Sequence, residues 1–183
     1  VGPGALRLYC YVNGVNNLVG VEQIEKDDPI GRPYLLANPS LTSLPVIGPG
    51  GPNNAPDPEK ILNVKPDVIF STYNTDQASV DVLQAKTGIP VVTLSYGQVS
   101  VFDPSVYQSL ELIGEVVSQE QTAQSIVDYM EECKEDLDER TKDISDDENF
   151  SVYVGALSVR GTHGIESTQG KYALLEAINA KNV

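Results

Sequence analysis

The stretch Pro58-Glu59-Lys60-Ile61-Leu62-Asn63-Val64-Lys65-Pro66-Asp67-Val68-Ile69-Phe70-Ser71 decides the fold. Residues 57–64 read as a helix. Residues 67–71 read as a short strand, rich in Val and Ile and bounded by Pro and Asp. Working outward, residues 75–87 form an amphipathic helix with Ala78, Val82 and Leu83 at core spacing. It stops at Gly88, with Pro90 just beyond. Residues 90–94 are the next strand. On the other side, residues 18–21 and 45–47 are similar apolar runs, and residues 5–12 suggest a short helix. Strands that alternate with helices at about 22 to 27 residues per unit predict a parallel α/β sheet.

From Asp103 the pattern changes. Val106, Leu110, Ile113 and Val117 fall at helical spacing, and Ser118 is expected to cap a second helix, with Gln121 at the capping-box position. In that helix Ile126, Met130, Cys133 and Leu137 share one stripe, with acids opposite. A rod over residues 119–142 would be roughly 36 Å long, a length suited to a strut between two lobes. After Asp146-Asp147-Glu148 the strand pattern resumes over 151–156. A Gly-rich loop follows (Arg160-Gly161-Thr162-His163-Gly164), then a helix over 169–180. The expected division is therefore an α/β lobe over 1–103, a helical strut over 104–145, and the start of a second α/β lobe over 146–183.

Both ends read as interrupted. Val1-Gly2-Pro3-Gly4 looks like the loop after a strand, and Asn182-Val183 stand where another strand would start. One βα unit cannot bury its own apolar strand (Val152, Val154) and helix face (Leu174, Leu175, Ile178). Two copies are expected to pair through this segment, or the segment to fold back on the first lobe.

A net charge of -14 argues against nucleic acid as a partner, because binding phosphates needs clustered Lys and Arg. Much of the acid lies between residues 128 and 148 and reads as a solvated helix face. Cys10 and Cys133 are too few for a disulfide scaffold and too far apart for a thiolate metal motif. Each sits in an apolar helical pattern and reads as a buried thiol, with pairing left open. No apolar run reaches the roughly 18 residues of a membrane span. No signal peptide, nucleophile elbow, Walker sequence or zinc-protease motif is found in the sequence. Gly2-Pro3-Gly4-Ala5 is similar to a dinucleotide fingerprint but lacks the third glycine. No catalytic pair can be named from the residues, and the leading expectation, binding without catalysis or cofactor, rests on the long helix and on the signatures quoted below. The alternatives are a Rossmann-like nucleotide-binding enzyme or regulatory domain, and an adhesion or scaffold protein.

In open α/β sheets, ligands bind beyond the carboxyl ends of the strands. That rule selects Arg7 after Gly4 and Ala5, the loop Gly48-Pro49-Gly50-Gly51-Pro52, Tyr73 beside Thr72 and Asn74, and Tyr96 between Ser95 and Gly97. Ser158, Arg160 and His163 are the candidates of the second lobe. Glycines let backbone amides approach an anion, and a helix N-terminus adds partial positive charge. Arg7 stands where a cation meets the unfavourable end of a helix dipole, tolerable if an anionic ligand or a carboxylate faces it. Arg160 would face the same cleft. Tyr73 and Tyr96 are suited to stacking on a ligand, and His163, the only histidine, to ligating a chelated metal. With no second His or nearby Cys, a metal site built by the protein alone is not expected.

The order of lobe, spanning helix and second lobe resembles the class III solute-binding proteins of ABC importers, whose members include receptors for ferric siderophores, haem and cobalamin. Glu59-x-Ile61 followed by Pro66-Asp67-Val68-Ile69 is similar to that family's helix-then-strand signature. Thr87-Gly88-Ile89-Pro90-Val91-Val92 is similar to its next strand entry. Tyr153-Val154-Gly155 through Thr162-His163-Gly164-Ile165 is similar to the opening of its second lobe. The resemblance covers nearly the whole chain, although a full member carries about another hundred residues that complete the second lobe. It implies a Rossmann-like N-terminal lobe, a helical backbone between lobes, an extracytoplasmic location with a lipid anchor on the full-length protein, and no enzymatic activity. The implied ligand is an iron-siderophore or another metal chelate or oxyanion, and the implied partner is an ABC permease. Glu59 occupies the position at which the family's N-lobe docks on permease arginines.

Overall fold

Parallel pairing organises the strands wherever they form. In the computed structural model, β1 (Ile69–Ser71) lies parallel to β2 (Val91–Thr93), with Ile69 opposite Val91 and Ser71 opposite Thr93. Val21 makes a parallel bridge with Val46. A third parallel pair joins β3 (Ser151–Val152) to β4 (Lys181–Asn182). The helices are α1 (Ala5–Asn13), α2 (Ile24–Asp27), α3 (Pro33–Ala37), α4 (Pro58–Val64), α5 (Gln77–Thr87), α6 (Pro104–Val117), α7 (Glu120–Glu139) and α8 (Ala173–Ala177), with a 3-10 turn over Pro39–Ser43. This is the α/β class read from the sequence. The structure describes residues 1–27, 30–73, 75–97, 102–145, 147–157 and 163–183.

The chain divides into two units, one of residues 1–96 with 105–126, the other of 97–104 with 127–183. In the first unit, Leu8 of α1, Leu41, Ile61 of α4, and Leu110 and Ile113 of α6 are all under 2% exposed. Local chemistry fixes its elements. The Asp57 carboxylate accepts the Lys60 amide at 3.1 Å, and Asp76 accepts the Ser79 amide at 3.0 Å, so α4 and α5 begin at true N-caps. At the far end of α5, Gly88 takes φ 69° and its amide returns to Gln84 O at 2.7 Å, the expected glycine stop. The apolar side of α5 is less covered than its spacing suggested. Val82 is 53% exposed, and with Leu83 it borders a groove of about 340 Å³ against Pro56 and Tyr73.

Ser118 departs from its expected role. It adopts φ 57°, and the next amide, Gln119, donates to Gly114 O at 2.8 Å. The serine thus ends α6 in the left-handed region rather than capping α7. The two helices meet at Gly114, where an added Cβ would lie 2.7 Å from Cβ of Ala123. α7 is a single 20-residue helix, about 30 Å long.

The elements of the second unit are shorter than their patterns. Of the strand expected over 151–156 only Ser151 and Val152 pair, and Ala156 takes left-handed backbone at φ 59°. Asn179 at φ 51° ends α8 early, and the Ala180 amide turns back to Leu175 O at 2.9 Å. Side chains anchor that turn. Asn179 Nδ2 donates to Asp138 Oδ1 at 2.8 Å and to Thr141 Oγ1 at 3.2 Å. Both cysteines are free, Cys10 buried as expected but Cys133 only half-buried.

Candidate functional site

The carboxyl ends of the first unit's strands converge on the loop that opens the chain. Gly2 and Gly4 both hold left-handed backbone, φ 86° and 79°, which a side chain would strain. They also permit close approach. A Cβ on Gly2 would lie 2.6 Å from the Tyr73 amide nitrogen, and one on Gly4 would lie 3.0 Å from Cβ of Tyr96. Hydrogen bonds lock this packing. The Thr72 amide donates to Val1 O at 3.0 Å, and Thr72 Oγ1 donates to Pro3 O at 2.7 Å. The Gly2 amide donates to Glu22 Oε2 at 3.0 Å. Behind Tyr96, the end of β2 is tied to α6, where the Ser95 amide donates to Ser109 Oγ at 2.8 Å.

The helix that starts here is left open at its positive end. Gly4 caps α1 without a side-chain acceptor. The Leu8 amide bonds Gly4 O at 3.1 Å, and the amides of Leu6 and Arg7 have no partner among the described residues. Exposed donors at a helix N-terminus favour an anion. The Arg7 side chain is half-buried, with Nη2 beside Gly4, and its Nε is buried without a hydrogen-bond partner. Its charge reaches Tyr34, whose hydroxyl is pushed far up by burial and by its 2.7 Å bond to Glu25 Oε2, with Arg32 and Arg7 pulling the other way. The site thus presents a guanidinium, two free amides and the Tyr96 ring, with the Tyr73 backbone packed on Gly2. It can bind and orient an anionic, partly aromatic or chelated group.

Of the residues predicted from sequence, Arg7, Tyr73 and Tyr96 are brought together around Gly2 and Gly4. Glu59 stands exposed in the first turn of α4. His163 is exposed in the second unit. Nearby, Leu157 and Ser167 are cross-bonded, the Leu157 amide donating to Ser167 O at 3.1 Å and Ser167 Oγ to Leu157 O at 2.7 Å. Ser158, Arg160 and Asn74 lie outside the described residues. Sequence reading missed Glu22 and Glu25, which are only 6% and 8% exposed. Glu22 follows the run 18–21 directly, so the carboxyl-end rule that picked Arg7 applied equally to it. Glu25 pairs with Arg32 at 3.7 Å, a contact between residues seven apart that no periodicity announces. Among the described residues no group of three His, Cys, Asp or Glu side chains is arranged to hold a metal. Nor is any described helix long and apolar enough to cross a membrane.

Known proteins share both the sequence pattern and the architecture. The family model for periplasmic binding protein matches residues 13–183. An ABC transporter substrate-binding lipoprotein of Bacillus subtilis, YvrC, is 28% identical over 124 residues, 68% of this chain and 39% of that protein. The molybdate-binding protein MolA of Haemophilus influenzae is 26% identical over 196 residues, 97% of this chain and 53% of that protein. The solved structure of MolA bound to molybdate has a TM-score of 0.64 at 23% identity, covering 82% of this chain and 50% of that one. A periplasmic heme-binding protein from Pseudomonas aeruginosa has a TM-score of 0.61 at 18% identity, covering 98% and 60%. At these identities the structural likenesses establish the fold. The chain spans about half the length of the curated relatives it matches. With the family model matching nearly all of its residues, the chain belongs to the periplasmic binding protein family.

Proposed function

We propose that this chain is part of the solute-binding receptor of an ABC importer, and that its first unit receives the anionic part of the solute at the N-terminus of α1. The observation that carries this reading is the open helix end, with the free amides of Leu6 and Arg7 beside an Arg7 guanidinium whose Nε has no partner. A bound oxygen anion supplies an acceptor to the two amides and a counter-charge to the guanidinium, and charge-assisted bonds of this kind are about twice as strong as neutral ones. Tyr96, 45% exposed beside Gly4, offers a face for the rest of the solute. Relatives that bind molybdate and heme support an oxyanion or a carboxylate-bearing metal chelate as the solute class. In the same reading Glu59 docks on the permease, and the work of the receptor lies outside the cytoplasm.

A thermal-shift screen with molybdate, tungstate, a ferric siderophore, haem and cobalamin tests this reading. One of these solutes is expected to raise the midpoint of the protein, and Arg7→Gln is expected to weaken its binding by at least about tenfold. Binding that is unchanged in Arg7→Gln would overturn the assignment of the site. No shift with any of the five, together with micromolar binding of NAD or ATP in isothermal titration, would replace the receptor with a nucleotide-binding domain.

A further inference from the structure

The first unit buries a carboxylate close to its open cation and does not pair the two. The Arg7 guanidinium makes no hydrogen bond or ion pair among the described residues, and its Nε is buried. Glu25 is buried as well, and a buried charge ordinarily takes a partner. Arg7 stands one turn ahead of Cys10 on the same face of α1. Cys10 packs with Tyr34 in one buried cluster, with Leu6 against it. The Tyr34 hydroxyl donates to Glu25 Oε2 at 2.7 Å. Burial pushes up both the Cys10 thiol and the Tyr34 hydroxyl, and Glu25 pushes both further, while the charges of Arg32 and Arg7 draw Tyr34 back. Carboxylate and guanidinium thus act on one hydroxyl.

One short segment keeps them apart. Arg32 precedes α3 and Tyr34 lies in its first turn, and α3 packs on α1. Arg32 Nη1 stands 3.7 Å from Glu25 Oε2 and is itself fixed by donating to Ile24 O. Tyr34 is the one side chain that donates a hydrogen bond to Glu25 among the described residues. An Arg7–Glu25 pair would satisfy the carboxylate equally well, but it would cancel the charge that an anionic solute requires.

We propose that Tyr34 is a positioning residue for solute capture, its hydroxyl holding Glu25 as a withheld counter-ion so that Arg7 meets the solute uncompensated. This rests on the reading of Arg7 as the contact for the solute's anionic part. Without the hydroxyl, Glu25 turns to Arg7, and the solute must displace a carboxylate before it binds.

Two measurements test the proposal, and the first needs no solute. In protein labelled at arginine nitrogen, the Arg7 Nε–H is expected to exchange with water about tenfold more slowly in Tyr34→Phe than in the parent. Adding Glu25→Gln to Tyr34→Phe should restore the parent rate. Equal exchange in the parent and Tyr34→Phe would overturn the proposal, whether or not any solute binds. The second measurement is isothermal titration with molybdate and with haem. Whichever binds the parent should bind Tyr34→Phe about tenfold more weakly. It should bind Glu25→Gln at least as tightly as the parent, by up to about threefold, and the double variant within about twofold of Glu25→Gln. A hydroxyl that only supports the fold predicts the opposite sign: Glu25→Gln weakens binding, and the double variant binds no better than Tyr34→Phe. Either result overturns the proposal. Glu25→Gln keeps an acceptor for the Tyr34 hydroxyl, so it tests the sign even where Tyr34→Phe fails to fold. Affinity unchanged in Arg7→Gln, or binding of neither solute by the parent, places the fault in the reading of the site. Affinity lowered in Arg7→Gln but not in Tyr34→Phe places it in the proposal.

Discussion

The two units of this chain differ in how completely they cover their apolar side chains. The first takes five large residues, from Leu8 to Ile113, below 2% exposure. In the second, the best covered apolar residues among those described are Val127 at 4%, Leu175 at 6% and Ala173 at 8%, while Phe150 and Ile165 remain 83% and 72% exposed. Composition does not explain this, because both contain amphipathic helices and β-branched strands. Layering does. A strand pair buries its side chains only when helices cover it, and the second unit sets the five-residue α8 and the residues of α7 from 127 onward against two-residue strands. The sequence segments are alike in kind, but only in the first unit are there enough of them to close a core.

The largest expected effect contrasts one leucine from each unit. Leu110→Ala, at a position with no exposed surface, should cost about 3 kcal/mol in urea unfolding. Leu174→Ala, at a position 53% exposed, should cost less than about 0.5 kcal/mol. Equal costs would mean that the second unit has a core after all. The cysteines sharpen the same contrast. Burial, with a smaller contribution from Glu25, pushes the Cys10 thiol up to about 11, and the thiolate is the reactive form. At pH 8, Cys133 should therefore be alkylated on the order of 100-fold faster than Cys10, as read by mass spectrometry of the two peptides. Similar rates would show that the first unit opens as readily as the second.

Smaller effects come from helix caps and from titration. Asp57→Ala and Asp76→Ala should each lower the thermal midpoint by about 4 °C at pH 7. The Asp57 carboxyl is held below its ordinary value chiefly by the Lys60 amide, and that of Asp76 by Ser79. Their contribution is thus present above pH 3.8 and lost as pH falls through the lowered values, so the variants should converge with the parent in acid. Cys10 has the opposite sign. Its folded pKa is raised, so its contribution is intact below pH 9.0 and lost as pH rises toward about 11. Cys10→Ala should flatten alkaline destabilisation by about 2 °C relative to the parent, and an unchanged alkaline slope would place that loss elsewhere.

Much of the first unit was legible because its signals are local. Gly88 stops α5 and Pro66-Asp67 opens β1, with no help from distant residues. The site was legible through topology, since a parallel sheet puts the loops after successive strands at one end, which is how Tyr73 and Tyr96 meet the same turn. Glu22 and Glu25 were hidden because their burial depends on Gly2, Tyr34 and Arg32, partners that composition and periodicity do not join. Ser118 misled for a different reason. A serine three residues ahead of a glutamine signals a cap in isolation, but the contact between Gly114 and Ala123 requires a tighter crossing, which a left-handed residue supplies. Helices α2 and α3 are shorter than two turns, too short for any periodicity to register.

That crossing at Gly114 has a mechanical consequence. It lies where the last turn of α6 presses on the first turn of α7. A methyl group there would act as a shim, forcing Ala123 and the turn around it off the surface of α6. Close approach of these two turns therefore depends on a residue with no side chain at all.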